Sequence, residues 1–454
     1  MTTLGDITFP KIDQSGPPKV GEFTYIDISG VDNKAKRIFD PKRLPAECAP
    51  SRARQRLMAG DVLVSMTRPN LNAVALVPPE LDGAIGSTGF HVLRANEGTE
   101  PRWLYYAVQN RSFVQAMSEV VQGALYPAVR PKDIKAFKID PPLLDQQRSI
   151  VSEIEKQFSR LDEAFTDLQH VKANLKRYKA AVLQSAVEGR LVPTEAELAR
   201  RKARSYETGG QLLQRILEIH RRQWKGKSKY VEPVVPNTAN LPVLPEGWVW
   251  ATLDQLAVET QIGLIRGRDQ QNTEGFGVPY VKMNNVSLDG EVDLSALIHV
   301  EANESDRKRY ALRDGDLLFN TRNSKELVGK TGLVRNPPIG TIYNNNLMRI
   351  RLADGVLPQF LIVQICSHEF RNRLELAKKA TTNVAAVYAK DLFPLQLALP
   401  PQKEQARIVA ETDRLLSLAR EVEFEVEANL KRAEVLRQSC LSSAFGAIPQ
   451  ENAL

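Results

Sequence analysis

The amino-acid sequence predicts a mixed α/β protein in which two pseudo-two-fold-related domains are separated by two long antiparallel coiled-coil helices. Three observations support this fold class. The pentapeptide ANLKR occurs at 173–177 and again at 428–432. Other segments recur in the same order around it, and an apolar stripe with coiled-coil spacing leads into each copy. The chain of 454 residues is therefore predicted to be a tandem duplication.

The repeat extends well beyond the pentapeptide. The segment DPPLLDQQRSIV, which starts at Asp140, aligns with LPPQKEQARIV, which starts at Leu399, and this alignment pairs Gln146 with Gln405. Earlier in each copy, MAGDVLVSMTR matches RDGDLLFNTR. Short β-rich runs such as DVLVSM and VPYVKM lie among Gly, Asn, Asp and Pro turns, and a helical stretch follows late in each copy. Each copy is therefore predicted to be a mixed α/β domain followed by a long helix.

These patterns divide the chain into five predicted segments. The segment between the two copies has no counterpart and is basic, with ten Lys or Arg against four acidic residues over 194–230. Its stretch GGQLLQRILEIHRRQWKGK predicts a helix that serves as a linker or as a docking surface for a partner. The predicted segments are a first mixed domain (1–139), a first spacer helix (140–192), a basic linker or partner-docking segment (193–243), a second mixed domain (244–398) and a second spacer helix (399–454).

Each long helix carries an apolar stripe whose positions follow steps of mainly four and three residues, which is the spacing of a coiled coil. Polar residues fill the other positions, so each helix has one face that requires a partner. The duplication favours the other copy as that partner; the alternative is that each helix packs on its own domain. A helix over 150–187 would be about 57 Å long. The stripe comprises Ile154, Phe158, Leu161, Phe165, Leu168 and Leu175 in the first helix, and Ile408, Leu415, Val422, Val426 and Leu430 in the second.

Composition favours a cytoplasmic protein with a polyanionic partner. The formal net charge is +7, and no apolar run approaches the roughly 18 residues that a membrane helix requires. The first residues, MTTLGDITFP, lack the pattern of a signal peptide. The three cysteines are odd in number and far apart, so they predict neither a disulfide framework nor a metal site, and a reducing compartment fits.

A duplicated scaffold with two heads of different sequence can bind a target made of two unlike halves. Duplex DNA is the natural candidate, because two-headed proteins match half-sites that are separated by about one turn of about 34–36 Å. Polar loops rich in Arg, Asn and Gln suit base readout, since Arg pairs with guanine and Asn or Gln with adenine.

The repeated segments resemble the specificity subunits of type I restriction-modification enzymes, and the resemblance covers nearly the whole chain. It rests on the paired segments DPPLLDQQRSIV and LPPQKEQARIV, on the ANLKR helices that end in QSAVEGRLVP and SSAFGAIP, and on LPEGWVWATL (244–253) and GDLLFNTRNSKELVGKTGLV (315–334). In combination these segments are highly specific for that family.

The resemblance implies that two target-recognition domains each read one half of a bipartite, asymmetric DNA site, while the helices set the spacer between the halves. It also implies that two methyltransferase (modification) subunits and restriction/translocase subunits dock on the chain. S-adenosylmethionine, ATP and Mg²⁺ are then expected in those partner subunits, with no cofactor in this chain.

The sequence offers weak signals for catalysis by the chain itself. DPPL (140–143) and NPPI (336–339) lack the aromatic residue with which amino-methyltransferases stack on a flipped base. GKT (329–331) lacks the first glycine of a phosphate-binding loop, and the five histidines show no metal-ligand spacing. We therefore expect a non-catalytic binding subunit. The alternatives are a single-chain DNA-modifying enzyme and a coiled-coil protein-docking adaptor.

Candidate DNA-contacting residues lie in polar loops at matching places in the two copies. In the first domain the loops are TRPNLN and ALYPAVRPK, and in the second they are IRGRD, TRNSK, the asparagine run and the TTN tripeptide. The candidates are Arg68, Asn70, Asn72, Tyr126 and Arg130 in the first domain, and Arg266, Arg268, Arg322, Asn323, Ser324, Lys325, Asn344, Asn345, Thr381, Thr382 and Asn383 in the second.

Overall fold

The computed structural model describes residues 2–121, 127–225, 229–380 and 384–446. Its chain divides into two compact units. Unit 1 combines Met1–Val171 with Glu425–Leu454, and unit 2 is Lys172–Phe424. The boundary between the units therefore falls inside both long helices, so each unit contains part of each helix. None of the described helices combines enough length with enough apolar residues to span a bilayer.

The first part of the chain, which forms most of unit 1, is a small mixed α/β domain. Its helices are α1 (Pro101–Ala107), α2 (Arg111–Glu119), α3 (Pro131–Lys135) and the first long helix, α4 (Leu144–Val187), which continues into unit 2. Its strands are β1 (Thr2–Thr3), β2 (Glu22–Ile26), β3 (Val31–Asp32), β4 (Arg37–Ile38), β5 (Lys42–Pro45), β6 (Ala53–Arg56), β7 (Val62–Ser65), β8 (Val74–Leu76), β9 (Ile85–Ser87), β10 (Phe90–Leu93) and β11 (Lys138–Ile139).

The rest of the chain repeats this plan and ends in the second long helix. Its helices are α5 (Glu195–Arg201), α6 (Gly209–Gln223), α7 (Leu253–Leu256), α8 (Glu304–Tyr310), α9 (Pro358–Cys366), α10 (His368–Ala377), α11 (Ala389–Leu392) and α12 (Gln402–Ala444). Its strands are β12 (Val249–Thr252), β13 (Ala257–Ile262), β14 (Gln271–Asn272), β15 (Val278–Val281), β16 (Ile298–Val300), β17 (Leu317–Asn320), β18 (Arg322–Asn323), β19 (Thr331–Leu333), β20 (Ile342–Tyr343), β21 (Leu347–Leu352), β22 (Lys379–Ala380), β23 (Ala385–Ala386) and β24 (Gln396–Leu399).

The duplication is visible in the strand pairing. Antiparallel β10-β7-β8 in unit 1 corresponds to β21-β17-β19 in unit 2, where β13 extends the sheet. Leu93 pairs with Val62, just as Ile350 pairs with Leu317. A second sheet in each unit contains one parallel pair, β2 with β9 and β15 with β20. The same topology with different lengths confirms the predicted mixed α/β fold.

A buried Asp–Arg pair recurs in both units. Asp61 precedes β7 and is bound by Arg94 at 2.7 Å, and Asp316 precedes β17 and is bound by Arg351 at 2.7 Å. Both carboxylates are almost fully buried, at 1% and 3% side-chain exposure. Each also accepts a backbone N–H three residues earlier, from Met58 and Arg313. The GD dipeptide of the repeat thus has a structural role, which is to fix the turn before the central strand.

The two long helices pack antiparallel within each unit. In unit 1, Asp162 of α4 pairs with Arg437 of α12 at 2.6 Å, and Gln157 contacts the thiol of Cys440 at 2.8 Å. The guanidinium of Arg437 also lies 4.2 Å from the ring centroid of Phe158. Because residue numbers fall along one helix as they rise along the other, the pair is antiparallel. In unit 2, an ion pair joins α4 to α12 in the same sense, between Lys179 and Glu423.

Each domain core includes the end of a long helix. Leu441 of α12 belongs to the core of unit 1, where it joins Ile154 and Phe158. Ala186 and Val187 of α4 belong to a core cluster of unit 2 that contains Trp248 and Ile408. The predicted alternatives therefore coexist, since each helix packs both on domains and on the other helix. Of the predicted stripe, Ile154, Phe158, Ile408 and Val426 are buried, Leu161, Leu168, Leu175, Leu415 and Leu430 are half-buried, and Phe165 and Val422 are 36% and 39% exposed.

One predicted alignment is wrong by a residue. The counterpart of Gln405 is Gln147, not Gln146, because the two side chains make the same three hydrogen bonds. Gln147 accepts from the N–H that precedes α1 and donates to the carbonyls of Gly98 and Pro142. Gln405 accepts from the N–H that precedes α9 and donates to the carbonyls of Gly355 and Pro400. With Gln147 as the counterpart of Gln405, the Lys-Asp and Ile-Val pairs of the two copies align without an inserted residue.

The unduplicated segment is built into unit 2. Leu212, Leu213 and Ile216 of α6 are buried in the largest core cluster of the unit. The N–H of Gly209 donates to the carbonyl of Gly247 at 2.7 Å, which brings the start of α6 against the chain that leads into β12. The segment predicted as a linker or docking surface therefore contributes apolar packing of its own.

Candidate nucleic-acid interface

Three segments of unit 2 converge around one open groove. The N–H of Thr321 donates to the carbonyl of Asn346 at 2.9 Å, and the carbonyl of Thr321 accepts from the N–H of Val387 at 3.0 Å. Arg322 follows directly and lies opposite Ala386 in the pairing of β18 with β23. The groove has a volume of about 510 Å³ and is lined by Thr260, Gln261, Ile262, Thr321, Arg322, Asn345, Asn346, Met348, Ala386, Val387, Tyr388, Ala389 and Phe393. We call it the Arg322 groove.

Two predicted residues present free side chains at this groove. Arg322 is exposed and Asn345 is half-buried. Within the described ranges, neither side chain has a hydrogen-bond or ion-pair partner. An unpaired guanidinium and an unpaired amide at one open surface are the groups that read guanine and adenine edges. The structure thus brings together two predicted residues that lie far apart in sequence.

Other predicted residues of unit 2 are committed to the fold. The guanidinium of Arg266 binds Asp306 at 3.0 Å and the carbonyl of Glu301 at 3.0 Å. Asn344 is 9% exposed, and its Nδ2 donates to the hydroxyl of Tyr280 at 2.9 Å. Contact between DNA and either side chain would require these hydrogen bonds to break. A polar residue type in a loop therefore did not distinguish DNA-contacting residues from residues that stabilise the fold.

The remaining predicted residues of unit 2 lie at or beyond the edge of the groove. Asn323 uses its Oδ1 to accept the N–H of Ser324 at 2.9 Å, which shapes the turn after β18. Arg268 is exposed on the short 3-10 turn Arg268–Gln270 and does not line the groove. Thr381, Thr382 and Asn383 lie outside the described residues.

A second cavity, of about 520 Å³, lies beside the same loop and has basic residues in its lining. Lys330 donates to the carbonyls of Met283 and Val286 at 2.8 and 2.6 Å, and burial lowers the pKa of its ammonium group. Lys378 pairs with Glu375 at 2.7 Å. Lys325 is exposed, and its ammonium has no partner in the part of the chain that the structure describes. Of these cations, Lys325 is therefore the one available to a phosphate.

Unit 1 places its predicted residues on the corresponding segments. The N–H of Arg68 donates to the carbonyl of Pro127 at 2.8 Å, and the N–H of Val129 donates to the carbonyl of Met66 at 2.9 Å. These bonds bring the loops TRPNLN and PAVRPK side by side. Arg68 and Asn70 are exposed, whereas Arg130 is half exposed and pairs with Asp133 at 3.1 Å. Tyr126 lies outside the described residues.

The first loop of unit 1 has an unusual backbone. Arg68 and Asn72 flank the 3-10 turn Pro69–Leu71 with φ angles of +49° and +45°. Non-glycine residues adopt this left-handed region at a cost and cluster at functional sites. The carbonyl of Asn72 accepts a hydrogen bond from the ammonium of Lys36, which joins the loop to the chain between β3 and β4. The exposed Arg68 is thus presented by a tightly specified turn.

Three residues of the Arg322 groove were missed by the sequence analysis. Gln261, Asn346 and Tyr388 line it, and Tyr388 is 50% exposed. Gln261 comes from β13, which reaches the groove only because β13 pairs with β21. Tyr388 could have been found, since AVYAKDL in the second copy corresponds to AVRPKDI in the first, in which Arg130 had been chosen.

Within the described ranges, no three His, Cys, Asp or Glu side chains lie close enough together to hold a metal ion. The GKT tripeptide follows the same loop, but its lysine, Lys330, is held by the two backbone carbonyls described above. A phosphate-binding loop requires that ammonium to face an anion. The arrangement is therefore suited to binding through exposed Arg, Asn, Lys and Tyr side chains.

Comparison with known proteins gives a consistent family. No family model matches the chain. The EcoKI specificity subunit of the type I restriction enzyme of Escherichia coli K12 is 25% identical over 416 residues, which cover 90% of this chain and 77% of that protein. The StySPI specificity subunit of Salmonella potsdam is 21% identical over 414 residues, with the same coverage of 90% and 77%.

Solved structures agree over nearly the full length. A chain from a study of complex assembly and conformational transition of the type I R-M system is 27% identical, with a TM-score of 0.71 and coverage of 98% of this chain and 96% of that one. The HsdS subunit of Thermoanaerobacter tengcongensis is 26% identical, with a TM-score of 0.58 and coverage of 98% and 95%. The duplicated fold, the paired long helices and these relatives together establish that the chain belongs to the specificity subunits of type I restriction enzymes.

Proposed function

We propose that each unit of this specificity subunit reads one half of a bipartite, asymmetric DNA site. The observation that carries this proposal is that the segments around the Arg322 groove recur in unit 1, where they carry Arg68 and Arg130. The same interior, including the buried Asp–Arg pair, supports different exposed residues at the same place in the two copies. A conserved frame with divergent polar loops suits the recognition of two unlike sequences.

Specific roles follow from the chemistry of the free side chains. Arg322 and Arg68 are suited to guanine, because a guanidinium donates two hydrogen bonds to O6 and N7 in the major groove. Asn345 is suited to adenine, whose N6 and N7 match an amide. Lys325 is suited to a phosphate, a contact that fixes position without reading sequence.

The long helices are proposed to set the spacer between the two half-sites. Helices α4 and α12 contain 44 and 43 residues. At about 1.5 Å per residue, each is about 65 Å long. Their antiparallel packing in each unit supports a stiff pair rather than two independent rods, and a stiff pair is what a constant spacer requires.

Catalysis is assigned to partner subunits. We propose that methyltransferase (modification) subunits and restriction/translocase subunits dock on this chain and supply the sites for S-adenosylmethionine, ATP and Mg²⁺. The relative with a TM-score of 0.71 comes from a study of complex assembly in a type I R-M system, and this likeness supports such an assembly here. The chain itself then acts as a non-catalytic recognition subunit.

The test is to sequence the DNA fragments that the chain selects when it is co-purified with its modification subunits. We expect a two-part motif. Arg322→Ala should weaken selection at one half, and Arg68→Ala should weaken it at the other, by about tenfold each, since a good base contact provides about 1–3 kcal/mol of discrimination. Equal losses in both halves would assign these arginines to phosphates, and a single contiguous motif would contradict the proposal.

The two alternatives predict different results in the same preparations. A single-chain DNA-modifying enzyme would transfer methyl groups from S-adenosylmethionine without any partner. A protein-docking adaptor would retain its partner subunits and show no sequence preference on DNA. The proposed function requires that the purified chain alone transfers no methyl groups and that the complex selects a two-part site.

A further inference from the structure

Arg130 in unit 1 and Tyr388 in unit 2 occupy the same position of the duplicated fold. Each follows an Ala-Val dipeptide whose valine N–H donates to the loop that carries the predicted arginine, at 2.9 Å for Val129 and 3.0 Å for Val387. Each is also the residue before a short helix, α3 and α11 respectively. The two side chains, a guanidinium and a phenol, have very different chemistry although the backbone holds them in equivalent places.

An aspartate three residues later in both copies differs in its hydrogen bonds, depending on whether the earlier residue is arginine or tyrosine. In unit 1, Asp133 accepts hydrogen bonds from the N–H and the Nε of Arg130, at 3.0 and 3.1 Å. The counterpart in unit 2 is Asp391, in the same Lys-Asp-apolar tripeptide. Its Oδ2 is buried and has no hydrogen-bond partner among the described residues. An unpartnered buried carboxylate oxygen is unfavourable, so unit 2 retains the acceptor but lacks the arginine that would use it.

The surroundings of Tyr388 explain why the position shared by Arg130 and Tyr388 can hold different side chains. The side chain is 50% exposed and lines the Arg322 groove together with Arg322 and Asn345. It makes no hydrogen bond to the described residues. A half-exposed aromatic side chain that lines the same groove as two unpaired polar groups contributes little to the core, and its ring is available to a ligand in the groove.

We propose that this position determines specificity, and that Tyr388 contacts a base edge in the half-site that unit 2 reads. The inference rests on the proposed function and deepens it. An aromatic ring suits the methyl group of thymine, and its hydroxyl can donate to or accept from a neighbouring edge, whereas a guanidinium such as that of Arg130 suits guanine. The ion pair of Arg130 with Asp133 is half exposed, and exposed ion pairs contribute little to stability, so the arginine can exchange that contact for a base.

The test uses the complex with its modification subunits and a library of DNA fragments. Three variants are compared with the wild-type protein: Tyr388→Ala, Tyr388→Phe and Tyr388→Arg. The half-site that unit 1 reads is the control within the same molecules, because it reports folding and assembly independently of Tyr388. The control variant on the other domain is Arg130→Tyr.

We expect Tyr388→Ala to relax the preference at one base pair of one half-site by about tenfold and to leave the other half-site unchanged. Tyr388→Arg is expected to create a guanine preference at that base pair, with Asp391 orienting the new guanidinium. Arg130→Tyr should remove a guanine preference from the other half-site. Retention of the preference in Tyr388→Phe would assign the contact to the ring, and its loss would assign it to the hydroxyl; both results support the inference.

Two outcomes would overturn the inference. Selection by Tyr388→Ala and Tyr388→Arg identical to that of the wild type would show that the position reads no base. Equal weakening of both half-sites would show that Tyr388 acts on affinity or assembly rather than on sequence. Failure of the proposed function is distinct, because the wild-type complex itself would then select no two-part site.

Discussion

Three consecutive asparagines at the edge of β21 differ in function although their side chains are chemically identical. Asn344 is buried and binds the hydroxyl of Tyr280, and its Oδ1 accepts the N–H of Asn346 at 2.9 Å. Asn345 is half-buried and has no side-chain partner in the part of the chain that the structure describes. Burial and hydrogen bonding of the side chain therefore distinguish a structural asparagine from one that is free to contact DNA.

Alanine substitutions at Asn344 and Asn345 should affect different properties of the protein. Asn344→Ala is expected to lower the free energy of unfolding of unit 2 by about 1–3 kcal/mol, because it leaves buried groups unpaired. Asn345→Ala should leave stability within about 0.5 kcal/mol of the wild type and should weaken selection at one half-site. Urea denaturation and fragment selection measure the two effects. Similar destabilisation by both variants would contradict the distinction.

A buried carboxylate in unit 2 should make stability depend on pH. Glu195 is 1% exposed and binds Arg204 at 2.5 Å and Arg407 at 2.6 Å. Burial alone would raise its pKa, but the hydrogen bonds from the two arginines together lower the pKa below the ordinary value of 4.5. Nearby, burial raises the pKa of Glu404, although its carboxylate accepts from the indole N–H of Trp248 at 2.8 Å.

We expect Glu195→Gln to lower the free energy of unfolding by about 2–3 kcal/mol at pH 7, the contribution of hydrogen bonds to a charged group. A lowered folded-state pKa stabilises the fold above the unfolded value, and this stability is lost as pH falls through the folded-state pKa. The difference between variant and wild type should therefore shrink below pH 4.5. The exposed pair Arg200–Glu246 provides the control, because Glu246→Gln should change little at either pH. An equal loss for Glu195→Gln at pH 7 and at low pH would count against this explanation.

At the scale of elements, α6 shows how an insertion between the two copies became part of a domain. Its first residue, Gly209, lies against β24 so closely that a Cβ atom would be 2.1 Å from the carbonyl oxygen of Leu399. The next residue, Gly210, has only the hydroxyl of Thr208 within 4 Å of such an atom, at 3.8 Å. Thr208 caps the helix by accepting the N–H of Gln211 at 3.2 Å.

The two adjacent glycines provide a matched pair of substitutions. Gly209→Ala should lower the free energy of unfolding by about 1–3 kcal/mol or more, because the backbone of β24 cannot move aside easily. Gly210→Ala should raise it by about 0.5–1 kcal/mol, since alanine restricts the unfolded chain and favours the helix. The denaturant midpoints of the two variants, compared with that of the wild type, measure these changes in stability. The same sign for both would show that α6 is not held by this contact.

At the scale of the whole molecule, both long helices run from one unit into the other. The boundary between the units falls at Val171 in α4 and at Phe424 in α12. An insertion there would leave the described cores intact, because the buried helix residues of each core lie nearer the helix ends. The spacer hypothesis can therefore be tested without changing either candidate site.

We expect the insertion of seven residues into each helix after these positions to lengthen the DNA spacer by about three base pairs. Seven residues add about 10 Å at 1.5 Å per residue and keep the apolar stripe in phase. The spacing of the half-sites in selected fragments is the measurement. An insertion of seven residues in α4 only is the control, and it should impair folding because the stripes no longer match. An unchanged spacer in the double insertion would exclude the helices as its determinant.

The sequence by itself determined the duplication, the fold class, the two long helices and the family, because repeats and periodicity are properties of sequence order. Local pattern was also sufficient to select Arg68, Arg130 and Arg322, which lie in repeated segments. Their outcome as DNA contacts, like that of the other predicted site residues and the five segment bounds, remains a prediction.

Only the tertiary structure decided which polar side chains are free. The side chain of Asn344 is hydrogen-bonded to Tyr280, 64 positions away, and that of Arg266 to Asp306, 40 positions away. Tyr388 and Gln261 reach the Arg322 groove through strand pairing that no local pattern encodes. The alignment error at Gln147 and the packing of α6 have the same origin. Long-range contacts bring together residues whose spacing in the chain carries no periodic signal, so burial and pairing are settled only when the chain folds.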